Sequence, residues 1–364
     1  MKLFRLSLLV LFLASLTVLP GCWNKSKKIK IGFVSNNTAN FWSYAEAGAK
    51  AAAEEHDVEL LFRYPAQPTA EKQKEAIDDL IAKGCKGIAV SVIDPENQAD
   101  YLDEVAKKVN LVTVDNDATE SGRVCYIGTD NYNAGRAVGK LVKETMSAGG
   151  TVALFVGMIE PINAQKRRDG VLDELSGEKN TYTKIKDGLT PIGKYTIYGQ
   201  SSTGGPYTDK VDEEVAFDNA TDVLNKNTGN LDKFGMVGLW AYNPPAILKA
   251  VQRNPEAKGK TKIVGFDEEF PTLQGIIAGE VYGTVMQQPY KFGSESIRVL
   301  AALAREKDAG IPQNKLMYIP FHVVKKDVAF EIKNDTNFDS AWPEKMEGVT
   351  ASSKLAELKE LRGE

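Results

Sequence analysis

Two histidines, His56 and His322, and three cysteines, Cys22, Cys85 and Cys125, are all that 364 residues offer of the usual zinc-binding imidazoles and thiols. They are scattered along the chain, so a zinc site has no support, and no cofactor is expected. Nucleotide signatures are missing as well. There is no G-x-x-x-x-G-K-[ST] run, and the first strand-to-helix turn, Ser35 to Phe41, contains no glycine to let a dinucleotide pyrophosphate approach its backbone. A G-x-S-x-G nucleophile elbow is absent too. The net charge of -4 lacks the basic excess that a nucleic-acid partner favours. Beyond the first residues no run approaches 18 apolar residues, so the remainder is not expected to cross a membrane.

What is there begins with Lys2 and Arg5, followed by an apolar stretch from Leu6 to Leu19. At about 14 residues this is short for a membrane span and has the length of a signal peptide. It ends Leu19-Pro20-Gly21-Cys22, which resembles a bacterial lipobox. That resemblance implies a signal peptide over 1–21, a lipid on Cys22 and a polar tether over 22–28 that holds the chain at a membrane surface. Cys85 and Cys125 each adjoin an apolar strand. Buried free thiols are the expected state, with a disulfide as the alternative in an exported protein.

The body alternates short apolar runs with helical periods. Strands are expected over Lys28–Asn36, Val58–Tyr64, Gly87–Ile93, Asn110–Val114 and Val124–Ile127, with helices from about Phe41 to His56, Thr69 to Lys83 and Asn97 to Lys108. The pattern then starts again: helix Asn133–Ser147, strand Gly150–Val156, helix Ala164–Glu174, strand Lys194–Tyr198, helix Asp212–Lys226, strand Gly235–Leu239, helix Pro245–Arg253, strand Ile263–Phe266, and strand Val281–Met286 after a short helix. Helix Phe292–Arg305 and one final strand, Lys315–Val324, interrupted at Pro320, follow; the stretch 341–364 reads as a polar tail. Two successive α/β halves predict two Rossmann-like lobes, each a parallel sheet flanked by helices, with a cleft between their strand ends.

The carboxyl ends of the expected strands carry amides and acids: Asn36, Asn37, Asn40, Asp115, Asn116, Asp117, Tyr242, Asn243, Asp267 and Gln287. Phe41, Trp42, Trp240 and Tyr242 lie beside them. Such a set suits a sugar, whose hydroxyls need donors and acceptors and whose C–H faces stack on rings. Any one of these residues serves equally well as a helix cap or loop-solvating group; their concentration at successive strand ends favours binding. Asp115 and Asp117 as paired acids of a glycosidase are the weaker reading, since two acids on one turn are more often a hydrogen-bonding loop.

Over about Lys28 to Lys326 the order of motifs resembles the periplasmic sugar-binding proteins of the ribose-binding type, the solute receptors of ABC importers. The matching features are Phe41-Trp42, Asp115, Arg167 in Gln165-Lys166-Arg167-Arg168-Asp169-Gly170, Val264-Gly265-Phe266-Asp267, and Gln287 in Met286-Gln287-Gln288-Pro289. The resemblance implies a type I periplasmic binding protein with no enzymatic activity. It implies three crossings, near Thr129, Gln288 and Ile319, that make an N-terminal lobe of 29–129 plus 289–319 and a C-terminal lobe of 130–288 plus 320–340. It implies ligand contacts at Asn40, Phe41, Trp42, Asp115, Asn116, Arg167, Tyr242, Asn243, Asp267 and Gln287, with Gln288-Pro289 as a hinge strand. The family's arginine after the aspartate is Asn116 here, which moves the expectation from ribose itself to a sugar or polyol more broadly. The implied partners are an ABC permease and, by the lipid, a membrane, with no nucleic acid, for a monomer. Presentation to a chemoreceptor or sensor kinase is the alternative.

Overall fold

The computed structural model describes residues 27–326. The expected signal segment, Cys22, the tail 341–364 and the end of the second lobe's expected range lie outside the described residues.

The first lobe is built from β1 (Ile29–Val34), α1 (Phe41–Glu55), β2 (Val58–Arg63), α2 (Ala70–Ala82), β3 (Gly87–Val90), α3 (Pro95–Ala106), β4 (Asn110–Val114) and β5 (Cys125–Gly128). The second contains α4 (Asn131–Thr145), β6 (Gly150–Val156), α5 (Ile162–Ser176), β7 (Gly188–Ile192), β8 (Tyr195–Gly199), β9 (Tyr207–Thr208), α6 (Glu213–Lys226), β10 (Phe234–Gly238), α7 (Asn243–Arg253), β11 (Lys262–Phe266), α8 (Phe270–Ala278) and β12 (Gly283–Met286). Then α9 (Pro289–Leu303) and β13 (Leu316–Tyr318) return to the first lobe, and β14 (His322–Lys325) joins the second.

One sheet has the order β13-β5-β4-β3-β1-β2 and is parallel throughout. The other runs β14-β12-β11-β10-β6-β8-β7, with β9 beside β6, and is antiparallel only at its edges, β14 on β12 and β7 on β8. Inner strands such as β3 and β10 are buried along their whole length, because apolar clusters cover both faces of each sheet. Helix starts follow the sequence: Thr69, Asp94, Asp130 and Asp212 each accept a backbone N–H from the first turn.

In each sheet the strand order turns back on itself, at β1 and at β6. Those reversals open a crevice at the carboxyl edge of the strands. A buried glutamine helps hold this edge in the first lobe. Gln73 donates to the carbonyls of Ser35 and Ser91 and accepts from Gln98 and from the Ile93 N–H. The links between lobes are bonded to one another: Ile319 N–H donates to Gly128 O at 2.7 Å, and Gln288 Nε2 to Pro320 O at 2.6 Å.

At the expected interruption, Pro320, which has no N–H for a ladder, the last strand divides into β13 and β14, which lie in different sheets. Two readings of the sequence are corrected. Gln288-Pro289 is not a strand. Pro289 opens α9, where its missing N–H leaves no bond unmade. Strand β7, with Pro191 inside it, was not expected; it forms a hairpin with β8 through Gly193-Lys194, with Gly193 at φ +59. The thiols of Cys85 and Cys125 are free and buried.

Candidate functional site

Between the two carboxyl edges lies a small cavity, lined from both lobes.

Its two acids arrive by the same backbone device. Asp115 follows β4 and Asp267 follows β11, both in the left-handed region, at φ 59 and φ 65. Aspartate is among the few non-glycine residues that tolerate this turn. Each N–H still bonds to the neighbouring strand, Asp115 to Ile127 O at 3.0 Å and Asp267 to Val285 O at 2.7 Å. Each carbonyl takes a hydroxyl, from Tyr126 at 2.9 Å and Thr284 at 2.8 Å. The backbone bonds are thus satisfied while the chain swings the carboxylates off the sheet and into the cleft.

Arg167 on α5 stands between them. It is 2% exposed, donates Nε to Asn131 Oδ1 at 2.8 Å and Nη1 to Leu239 O at 3.0 Å, and stacks its guanidinium 3.9 Å from the Phe266 ring centre. Its Nη2 is 3.8 Å from Asp115 Oδ1 and has no hydrogen-bond partner. Burial pushes the Asp115 carboxyl up to about 6, Arg167 opposing this and Asp267 adding to it. Asp267 is also raised, by burial first, with Arg167 and a 3.0 Å bond from Gln287 Nε2 working the other way.

Three further cavity-lining atoms are buried with no hydrogen-bond partner among the described residues: Trp240 Nε1, Asn163 Oδ1 and Gln287 Oε1. Two donors, on Arg167 and Trp240, and two acceptors, on Asn163 and Gln287, are left open beside two carboxylates. Buried polar groups are costly unless paired, and a hydroxyl can both donate and accept. The donor set suits a neutral polyhydroxylated molecule. A fully charged anion would face two acids against one arginine.

Seven of the ten expected contact residues line the cavity: Phe41, Trp42, Asp115, Arg167, Tyr242, Asp267 and Gln287. Trp42 is only 1% exposed, with Nε1 on Asn36 Oδ1 at 2.9 Å and Phe41 edge-on to its ring. Asn40, Asn116 and Asn243 are not among the lining residues. Asn40 is exposed at the start of α1 and accepts from Ser43. Asn116 donates to Val92 O within its own lobe and accepts the Asn163 N–H, at 3.1 Å, from the other. Asn163 is the second residue of α5, whose capping position is Pro161 with no side-chain bond to give. Asn116 thus caps a helix of the opposite lobe. Asn243 accepts from Trp240 N–H at 3.1 Å and donates to Asp209 at 2.8 Å.

Asn36 and Asn37, among the strand-end amides that suit a sugar, and Trp240, among the rings beside them, also line the cavity, together with Ala39 and Ala241. Sequence reasoning missed Asn163, whose Nδ2 donates to Asp115 Oδ2 at 3.2 Å across the cleft. The one signal for it was its place just after a strand-to-helix turn.

Comparison with known proteins agrees with this geometry. The periplasmic binding protein domain family matches residues 31–308. The ribose import binding protein RbsB of Haemophilus influenzae is 22% identical over 258 residues, 70% of this chain and 78% of that protein. Among solved structures, an ABC transporter solute binding protein from Burkholderia graminis in complex with D-arabinose is 24% identical, with a TM-score of 0.72 over 83% of this chain and 96% of its own. The XylFII-LytSN complex contains a chain 22% identical, with a TM-score of 0.68 over 82% of this chain and 98% of that one.

Proposed function

Because the chain belongs to the periplasmic binding protein family, we propose that it is an extracytoplasmic receptor for a neutral monosaccharide or similar polyol, without enzymatic chemistry. The observation that carries this reading is the buried, two-sided donor and acceptor set: Asp115, Asn163, Arg167, Trp240, Asp267 and Gln287 around one small cavity. Phe41, Trp42 and Tyr242 supply rings for the C–H faces of a sugar. Residues 29–129 with 289–319, and 130–288 with the described residues from 320 onward, act as two bodies that close on the ligand, as hinge proteins of this kind do.

The ligand-loaded form delivers its sugar to the permease of an ABC importer. The ribose import role named for the Haemophilus influenzae relative and the ABC transporter assignment of the Burkholderia graminis protein support that step. The Leu19-Pro20-Gly21-Cys22 sequence supports a lipid on Cys22 as the tie to the membrane. Signalling is the second reading, favoured by one observation: the related chain XylFII is found in complex with LytSN.

A thermal-shift screen with D-ribose, D-arabinose, D-allose and myo-inositol tests the binding reading. One or more of these neutral polyols is expected to raise the melting temperature, and to go on raising it with the logarithm of its concentration beyond saturation. Stabilisation by none of them, with stabilisation by sugar phosphates or amino acids instead, contradicts it.

A further inference from the structure

Asp209 follows β9 and is 2% exposed, yet it is not one of the cavity-lining side chains. Its carboxylate is fully engaged. Oδ1 accepts the Tyr242 hydroxyl at 2.6 Å and the Val211 N–H at 2.9 Å, and Oδ2 accepts Asn243 Nδ2 at 2.8 Å. The turn that carries it is tied to the end of β6, since Gly157 O accepts from both Asp209 N–H at 3.2 Å and Lys210 N–H at 2.8 Å. It is also strained: Lys210 and Val211 have φ of 57 and 66, and a β-branched residue in that region is an outlier. A buried acid in a strained turn is costly to keep. Its partners show what it holds. Tyr242 is a wall of the cavity, and Asn243 passes the constraint on by accepting the N–H of Trp240, the next wall residue.

We propose that Asp209 is the positioning residue of the cavity's aromatic wall, and that by accepting the hydrogen bond from the Tyr242 hydroxyl it leaves the Tyr242 oxygen an acceptor only toward the bound molecule. This rests on reading the cavity as a sugar site. The consequence is chemical: the sugar group that meets Tyr242 is a hydroxyl that donates. Replacing Asp209 by asparagine leaves one side of this grip unmade, because its amide N–H must face either the Asn243 amide or the Tyr242 and Val211 donors, and the wall residues are no longer held together.

The experiment compares wild type, Asp209→Asn, Tyr242→Phe and the double variant by calorimetric titration with D-ribose, D-arabinose and D-allose, alongside melting temperatures. Asp209→Asn is nearly the same shape and keeps the fold. It is expected to weaken binding about tenfold and to change the order of preference among the three sugars. Tyr242→Phe on top of it is expected to add little, since the two act as one unit. A uniform loss for every sugar that tracks a lowered melting temperature, or additive losses in the double variant, overturns the assignment. If wild type binds none of the sugars, the receptor reading fails, and the ligand-free crystal structure of Asp209→Ala still decides this one. Displaced Tyr242 and Asn243 side chains are expected there, and unmoved ones overturn it.

Discussion

Asp115 and Asp267 reach the cavity by one geometry used twice. Each takes the left-handed turn after an inner strand, and each bonds its N–H and its carbonyl to the next strand or its neighbourhood. Arg167 lowers the pKa of both against the larger, opposite effect of burial. The site therefore holds two acids in a place that stability alone would not select.

That gives a stability prediction with a definite sign. Asp115 titrates at about 6 in the fold, against an ordinary value of 3.8. Between those values the folded chain holds a proton that the unfolded chain has released, so stability falls as pH rises through the window. Asp115→Asn removes this penalty and tolerates the same left-handed turn. The ligand-free variant is expected to be more stable at neutral pH by about 1–3 kcal/mol and to depend less on pH between about 4 and 6. It is also expected to bind sugar more weakly. In wild type, affinity is expected to drop as pH falls below about 6, because a protonated carboxyl loses acceptor capacity. Denaturant melts and titrations across that range check both parts; a variant destabilised equally at every pH would contradict them.

Asn116 acts at a different stage. Its bond to the Asn163 N–H joins the lobes and caps α5. A lost cap costs about 1 kcal/mol, so Asn116→Ala is expected to weaken every sugar by a similar factor of about five. The order of preference stays unchanged, and small-angle scattering of the ligand-bound variant shows a larger open fraction. A change of sugar preference without a change in closure would instead place Asn116 on the ligand.

Arg167 depends on how closely α4 and α5 approach. A side chain on Gly170 would collide with the Tyr132 carbonyl, and one on Gly135 with the Arg167 carbonyl. Gly170→Ala is expected to cost about 1–3 kcal/mol by overpacking and to weaken binding as well, because α5 carries Arg167 away from Asp115. Melting curves with parallel titrations check this. Loss of stability with affinity intact would show that the arginine is held independently of the helix contact.

Much of this was legible in the sequence because strand and helix periods are strong here. Strand β6 is found at the expected residues, Gly150–Val156, and Val264-Gly265-Phe266-Asp267 marked where β11 delivers its acid. The misses have physical causes. Strand β7 has an exposed Leu189 and an internal Pro191, so it lacks a strand pattern. Polar residues at strand ends are visible in a sequence, but the turn that aims them is not: Asn40 faces solvent while Asn36 and Asn37, a few residues earlier, are buried. Asp209, in Thr208-Asp209-Lys210-Val211-Asp212, reads as a solvated loop, and only the packed fold reveals it as a buried acid.

The most direct test of the sugar site is a calorimetric titration of wild type and Asp267→Asn with D-ribose, D-arabinose and D-allose. Asparagine keeps the turn and the shape of Asp267 while removing its charge. Wild type is expected to bind at least one of the three. The variant is expected to lose about 1.5–3 kcal/mol, roughly 10- to 100-fold in affinity, with its melting temperature unchanged or raised. Equal affinity of the two proteins for the same sugar would contradict the assignment of Asp267 and of the cavity it lines.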